Sequence, residues 1–195
     1  MGAEALESGL EHEAIRFAED LTATVRAVVG SSCPPFAVAG LGSYVAVEQL
    51  PADGIVLSRD GAPLVRLEAT YRCEWDRTAT YLKVLSSSIA LYPGDEAGTV
   101  PYFRYEYDRK KHPDLPDAHL HVHDDPGTPS RLSDLLKRGG TRTRRSRRRF
   151  LRGRAERAEF HFPLGGDRYR PTLEDILHVL VEELGVDADT NWRES

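Results

Sequence analysis

The stretch "LVRLEATYRCEW" (residues 64–75) decides how the chain is to be read. Val65, Leu67, Ala69, Tyr71, Cys73 and Trp75 alternate with Arg66, Glu68, Thr70, Arg72 and Glu74. A period of two belongs to a strand with one apolar and one polar face, whereas a helix would group residues three and four apart. Upstream, "IVLSRDGAPLVRL" (55–67) sets Asp60-Gly61 between two apolar runs, the pattern of a two-residue hairpin. "YVAVEQL" (44–50) is a further strand. Downstream, "TYLKVLSSSIALY" (80–92) pairs back across Asp76 to Thr78, although its three serines blur the two faces. "PYFRYEYD" (101–108) and "AHLHVH" (118–123) follow, joined by "RKKHPDLPD", a length that suits antiparallel neighbours.

Helices flank this β-rich middle. In residues 4–29, Leu6, Leu10, Phe17, Leu21, Val25, Val28 and Val29 recur at helical spacing, and "GSSCPP" ends the pattern. Near the other end, "TLEDILHVLVEELG" (172–185) carries Leu173, Ile176, Leu177, Leu180, Val181 and Leu184 on one stripe, a capping-box pair in Thr172 and Asp175, and Gly185 as a terminator. A short helix is expected at "SRLSDLLKR" (130–138), with Ser130 as N-cap. The expected architecture is α+β: a mostly antiparallel sheet of five to seven strands with N-terminal and C-terminal helices packed on one face. Residues 1–195 read as a single domain: helix 4–29, β-meander 36–123, mobile arginine-rich loop 137–157, strand and C-terminal helix 158–186, and a frayed tail 187–195.

Composition narrows the setting. A 40% apolar and 29% charged chain is that of an ordinary globular protein, without an apolar run of the roughly 20 residues that a bilayer span needs. The acidic start "MGAEALESGLEHEA" lacks the features of a signal peptide, so a cytoplasmic location and no membrane partner are expected. Cys33 and Cys73 are too few for a disulfide framework or a cysteine zinc cluster. The net charge of −5 hides a strong asymmetry, because residues 137–157 hold eleven basic side chains against Glu156 alone. This run, with Arg144, Arg145, Arg147, Arg148, Arg149 and Arg152, is the candidate nucleic-acid-binding segment, since arginine suits phosphate contacts. A solvated insertion and a segment docked on an acidic surface are its two bland alternatives.

The chemistry collects on two neighbouring strands. Alternation puts Phe103, Tyr105 and Tyr107 on one face of the first and Arg104, Glu106 and Asp108 on the other. It puts Leu120 and Val122 against His119, His121 and His123 on the second. If both apolar faces turn to the core, the polar faces coincide. Three readings stay open. The histidines with Arg104 suit metal-independent acid/base cleavage of a phosphodiester, with His161 as a further member. His119, His121 and Glu106 suit a metal, although the outer histidines are about 13 Å apart and cannot share one ion. The third reading is a row of polar residues on a solvated strand face. "GGDRYRP" (165–171), with Arg168 and Arg170 ahead of a helix, offers a weaker phosphate-holding turn, and His178 reads as structural.

The segment "FRYEYDRKKHPDLPDAHLHVH" (103–123) resembles the central motif of small bacterial toxins of the TumE type, in which an aromatic-Arg-Tyr-acid strand precedes a His-Pro loop and a strand with spaced histidines. "HFPLGGDRYRPTLEDIL" is similar to the closing segment of a group of actinobacterial proteins. The first resemblance implies an RNA-cleaving toxin with a cognate antitoxin-like partner and assigns Arg104, His119 and His121 to the active surface. The chain departs from that pattern in its length, its N-terminal helix and strands, and its arginine run. The leading expectation is therefore an RNA-directed protein, a metal-independent endoribonuclease that needs no cofactor, with His119, His121, Arg104 and His161 as catalytic residues. The alternatives are a non-catalytic nucleic-acid- or protein-binding module and a metal-dependent enzyme built on the His-x-His strand.

Overall fold

The computed structural model of the chain describes residues 3–31, 33–39, 44–50, 53–94, 100–109, 117–122, 160–164, 170–189 and 192. Helix α1 (Ala3–Val29) leads into strands β1 (Phe36–Ala39), β2 (Val45–Gln49), β3 (Ile55–Arg59), β4 (Ala62–Trp75), β5 (Leu82–Pro93), β6 (Phe103–Asp108), β7 (Ala118–Val122) and β8 (Phe160–Pro163), and helix α2 (Leu173–Glu182) follows. Seven strands lie in the order β1-β2-β4-β5-β6-β7-β8, and β3 pairs with β4 beside β2. All these pairings are antiparallel. The chain is thus α+β with both helices packed against the sheet, as its alternation predicts. No helix among the described residues is long and apolar enough to cross a membrane.

The alternation of β4 is realised as one buried row, Val65, Leu67, Ala69, Tyr71 and Cys73. Leu91 and Ile89 of β5 continue this row, and α1 covers it with Leu10, Ala14, Ala18, Leu21, Val25 and Val28. The two alanines on α1 let its backbone come close to the sheet. From α2, Leu173, Ile176, Leu177 and Leu180 join the same core. Phe17 meets Tyr71 edge-to-face at 5.2 Å between ring centres. Cys33 and Cys73 are free, buried thiols, and burial pushes each up to about 11, which leaves them poor nucleophiles at neutral pH.

The turns follow local chemistry. Asp60 and Gly61 adopt φ values of 53° and 76°, the left-handed pair of a two-residue hairpin. The β4–β5 turn is organised by the Asp76 carboxylate, which accepts from the backbone amides of Thr78 (3.1 Å), Thr80 (2.6 Å) and Tyr81 (3.2 Å). Those donors hold its carboxyl down at about 2, the Thr78 hydroxyl contributing most. The serine ambiguity of β5 is resolved by a bulge. Arg72 pairs with Ser86 but Cys73 pairs with Val84, so Leu85 is one extra residue. Ser87, Ile89 and Leu91 above the bulge, and Leu82 and Val84 below it, then all lie on the core side.

Helix α2 opens with the expected capping box, Asp175 N donating to Thr172 Oγ1 (3.2 Å) and Thr172 N to Asp175 Oδ2 (3.0 Å). The tail expected to fray is anchored at its described residues. Asp187 accepts from the amides of Asp60 and Gly61 at 2.9 Å each, Asp189 N donates to Val28 O, and Val186 is buried. Backbone groups of the β3–β4 hairpin and of the end of α1 provide a dock that composition alone does not reveal. The expected helix at 130–138 and the arginine run at 137–157 lie outside the described residues. Because Leu91 is fully buried between α1, β4 and β6, Leu91→Ala is expected to lower unfolding stability by about 2–5 kcal/mol in denaturant titration.

Candidate metal centre

The face of the sheet turned away from the helices carries two cross-strand rows. Glu68, Ala90, Arg104, His121 and His161 stand at successive register positions from β4 to β8. Thr70, Ser88, Glu106 and His119 form the next row. Arg104 is therefore directly opposite His121, and Glu106 directly opposite His119, because β6 and β7 pair with their apolar residues on the core side, as alternation predicts. His161 takes the register position beside His121. His123 and Arg168 lie outside the described residues, as do all six named arginines of the basic run.

His119 and His121 are each only 3% exposed. The solvated-strand reading therefore does not hold for them: β7 is an interior strand between β6 and β8, and the Arg104–Glu106 pair lies against the imidazoles. Their rings are 4.7 Å apart at their centres, and both direct Nε2 at one point. His119 Nε2 is 2.8 Å from His121 Nε2 and 3.2 Å from Glu106 Oε2, while His121 Nε2 is 2.7 Å from the same oxygen. The second carboxylate oxygen, Oε1, is 2.7 Å from Arg104 Nε. Contacts from His119, then His121, and the nearby Arg104 charge hold the Glu106 carboxyl well below the usual carboxylate range, against the opposing effect of partial burial.

This closed triangle can be held by protons or by a metal ion. Each Nε2 carries either a proton or a lone pair. Two Nε2–H groups can both donate to Glu106 Oε2, although this crowds their protons across 2.8 Å. One proton leaves the other nitrogen's lone pair against the carboxylate oxygen, at 2.7 or 3.2 Å. A cation among the three atoms satisfies every lone pair at once. Ligand atoms about 2.0–2.2 Å from a tetrahedral ion lie roughly 3.3 Å apart, so a small outward adjustment of the triangle admits one. Two histidines and one glutamate are also a donor set used by catalytic zinc, which leaves a fourth position for water. Among the described residues, Glu106, His119 and His121 are the one group of three metal-ligating side chains brought within such reach.

The other sequence candidates are placed elsewhere. Arg170 lies with its guanidinium 5.8 Å from the centre of the Tyr107 ring, and Tyr107 belongs to the core-facing row of β6, away from the triangle. His178 is exposed and packs beside Trp192, ring centres 5.6 Å apart. Residues that the alternation did not single out join the polar face at its β4 side: buried Arg66 pairs with Glu68 at 3.0 Å, donates to Asp53 O at 3.1 Å and sits 4.5 Å from the Tyr92 ring centre. Comparison of the chain with protein-family models, with curated proteins and with solved structures finds no match.

The depressed acidity of Glu106 gives a pH prediction with a definite sign. Its ionised form contributes stability above its ordinary value of 4.5, and that contribution is lost as pH falls toward the lower native value. In chelator-treated protein, Glu106→Gln is expected to be less stable than the parent near pH 7, and the gap to close as pH is lowered below about 5. Denaturant unfolding across a pH series checks this; a gap independent of pH would contradict it.

Proposed function

We propose that Glu106, His119 and His121 hold one divalent transition-metal ion and that the protein is a metal-dependent hydrolase. The convergence of two imidazole nitrogens and one carboxylate oxygen within 2.7–3.2 Å of one another carries this reading. An ion so held supplies a Lewis acid and a bound water whose pKa is lowered to about 7. The protein's part is positional. Pairing of β6 with β7 sets the three ligands, burial keeps the imidazoles from swinging out to solvent, and Arg104 holds the free oxygen of the Glu106 carboxylate so that the other faces the ion.

Elemental analysis of purified protein is the direct test, with about one bound transition-metal ion per chain as the expected result. His119→Ala and His121→Ala are each expected to weaken metal binding by at least about 100-fold, more than loss of a supporting contact does. Chelator is expected to abolish hydrolysis of an activated phosphodiester or ester, and added metal to restore it. Metal-free protein whose activity survives chelator would remove the reading.

A second reading keeps the same residues without an ion. Adjacent His119 and His121 imidazoles beside the Arg104 cation suit acid/base cleavage of RNA, in line with the toxin-like motif at 103–123. The chain from 123 to 159, which includes the basic run, leaves and rejoins the sheet at Val122 and Phe160, which are paired. The arginine content of that segment supports nucleic acid as a partner; a cognate antitoxin-like protein belongs to the same reading. RNA cleavage undiminished by chelator and abolished by His121→Ala is its expected signature. If His119→Ala and His121→Ala are silent while deletion of 137–157 abolishes RNA binding, a non-catalytic binding module is the better description.

A further inference from the structure

We infer that Arg104 is the anion-binding arm of this centre and that the ligand it takes is a phosphate group, seated on the β5 side of the arginine. The inference rests on the metal reading above and adds a ligand class and a place for it.

The contacts of Arg104 are divided in a way that leaves its recognition end available. Its Nε lies against Glu106 Oε1 at 2.7 Å, while Glu106 Oε2 faces the histidines. The ion pair keeps the guanidinium beside Glu106, although Nε–H is not aligned for a hydrogen bond to it. Among the described residues its two terminal nitrogens have no hydrogen-bond acceptor, and the side chain is 29% exposed. A guanidinium can present two parallel N–H groups, a geometry that matches two oxygens of a phosphate.

Shape decides the side. On β7 the position opposite Arg104 is filled by His121. On β5 the positions opposite Arg104 and Glu106 are Ala90 and Ser88, both short, and beyond them stand Glu68 and exposed Thr70 on β4. Ala90 itself is buried, so the accessible part of this side lies over half-buried Ser88 and exposed Thr70. Tyr92 closes one end, bonded to Glu68 beside the Arg66 cation. A ligand lying over Ser88 would have the Arg104 side chain and the Glu106 carboxylate on the same flank.

Charge decides the class. Glu106 and Arg104 cancel, as do Glu68 and Arg66 at 3.0 Å. The histidines are neutral when they ligate, so a divalent ion leaves the centre with two uncompensated positive charges. A phosphate dianion, or a phosphodiester monoanion together with a metal-bound hydroxide, offsets that charge. A single carboxylate does so only in half and has no third oxygen to bridge arginine and metal.

The test uses the full chain loaded with cobalt(II), whose visible bands report its ligands, titrated with inorganic phosphate and, in parallel, with acetate. Phosphate is expected to shift the bands of the parent protein more tightly than acetate does. Arg104→Gln is expected to bind cobalt about 10–100-fold more weakly, since it loses the contact that orients Glu106, and, once saturated with cobalt, to bind phosphate at least about tenfold more weakly than the saturated parent, with Arg104→Lys intermediate. Thermal unfolding checks that each variant is folded, and Arg104→Lys stands in if Arg104→Gln is not. Equal phosphate affinity in the cobalt-saturated parent and variant would overturn the role of Arg104, because it marks a residue that only orients Glu106. Cobalt bands untouched by phosphate in the parent would overturn the ligand class while leaving the metal reading standing. Failure of the parent to bind cobalt would end both.

Discussion

The eleven-pair antiparallel register of β4 and β5 is the constraint on which the rest depends. Side chains of a paired row share a face, so once Leu67 and Leu91 are committed to the core, the face of every later residue in the sheet is committed too. The commitment passes from Leu91 to Phe103 and from Phe103 to Val122 on the helix side. On the other side it passes from Ala90 to Arg104 and from Arg104 to His121. A slip of one residue between β6 and β7 would put the imidazoles into the core and Leu120 over Glu106. Hydrophobic burial on one face therefore fixes chemistry on the other, and the cost of exposing a buried leucine or valine, about 1.5–3 kcal/mol each, guards the arrangement.

The polar face contains two charge clusters of different character. Arg66 and Glu68 form a pair that Asp53 O and the Tyr92 ring also engage, although buried Arg66 Nε makes no hydrogen bond, and such a pair rigidifies more than it reacts. Glu106, by contrast, divides its two oxygens between an arginine and two imidazoles that contend for one point. The two imidazole nitrogens stand 2.8 Å apart and both face the same carboxylate oxygen. The crowding is the physical reason to read the cluster as a ligand set, and the neighbouring arginine is the reason to look for an anion beside it.

Much of the fold was legible in residues. The alternation of 64–75, the Asp60-Gly61 hairpin, the Thr172–Asp175 capping box and both helices follow from local spacing, because each is decided by contacts within a few residues. Where competition between distant segments decides, spacing was not enough. The serines at 86–88 were ambiguous because the Leu85 bulge re-phases β5, and a bulge leaves no mark in a period-two count. The hold of Asp187 on the amides of Asp60 and Gly61 joins segments over 120 residues apart and has no local signature.

For the site, the sequence by itself determined which residues share a face: Arg104 and Glu106 on one strand, His119 and His121 on the next, because side-chain alternation is a property of any extended chain. It also excluded a three-histidine ion on distance alone. Only the tertiary structure decided that β6 and β7 are neighbours in the register that sets Glu106 opposite His119, and that the two imidazoles are buried rather than wet. Register and burial come from packing against strands far away in the chain. The convergence of three donor atoms on one point, which turns a polar row into a candidate centre, is therefore a product of the whole sheet and not of the His-x-His pattern that first marks it.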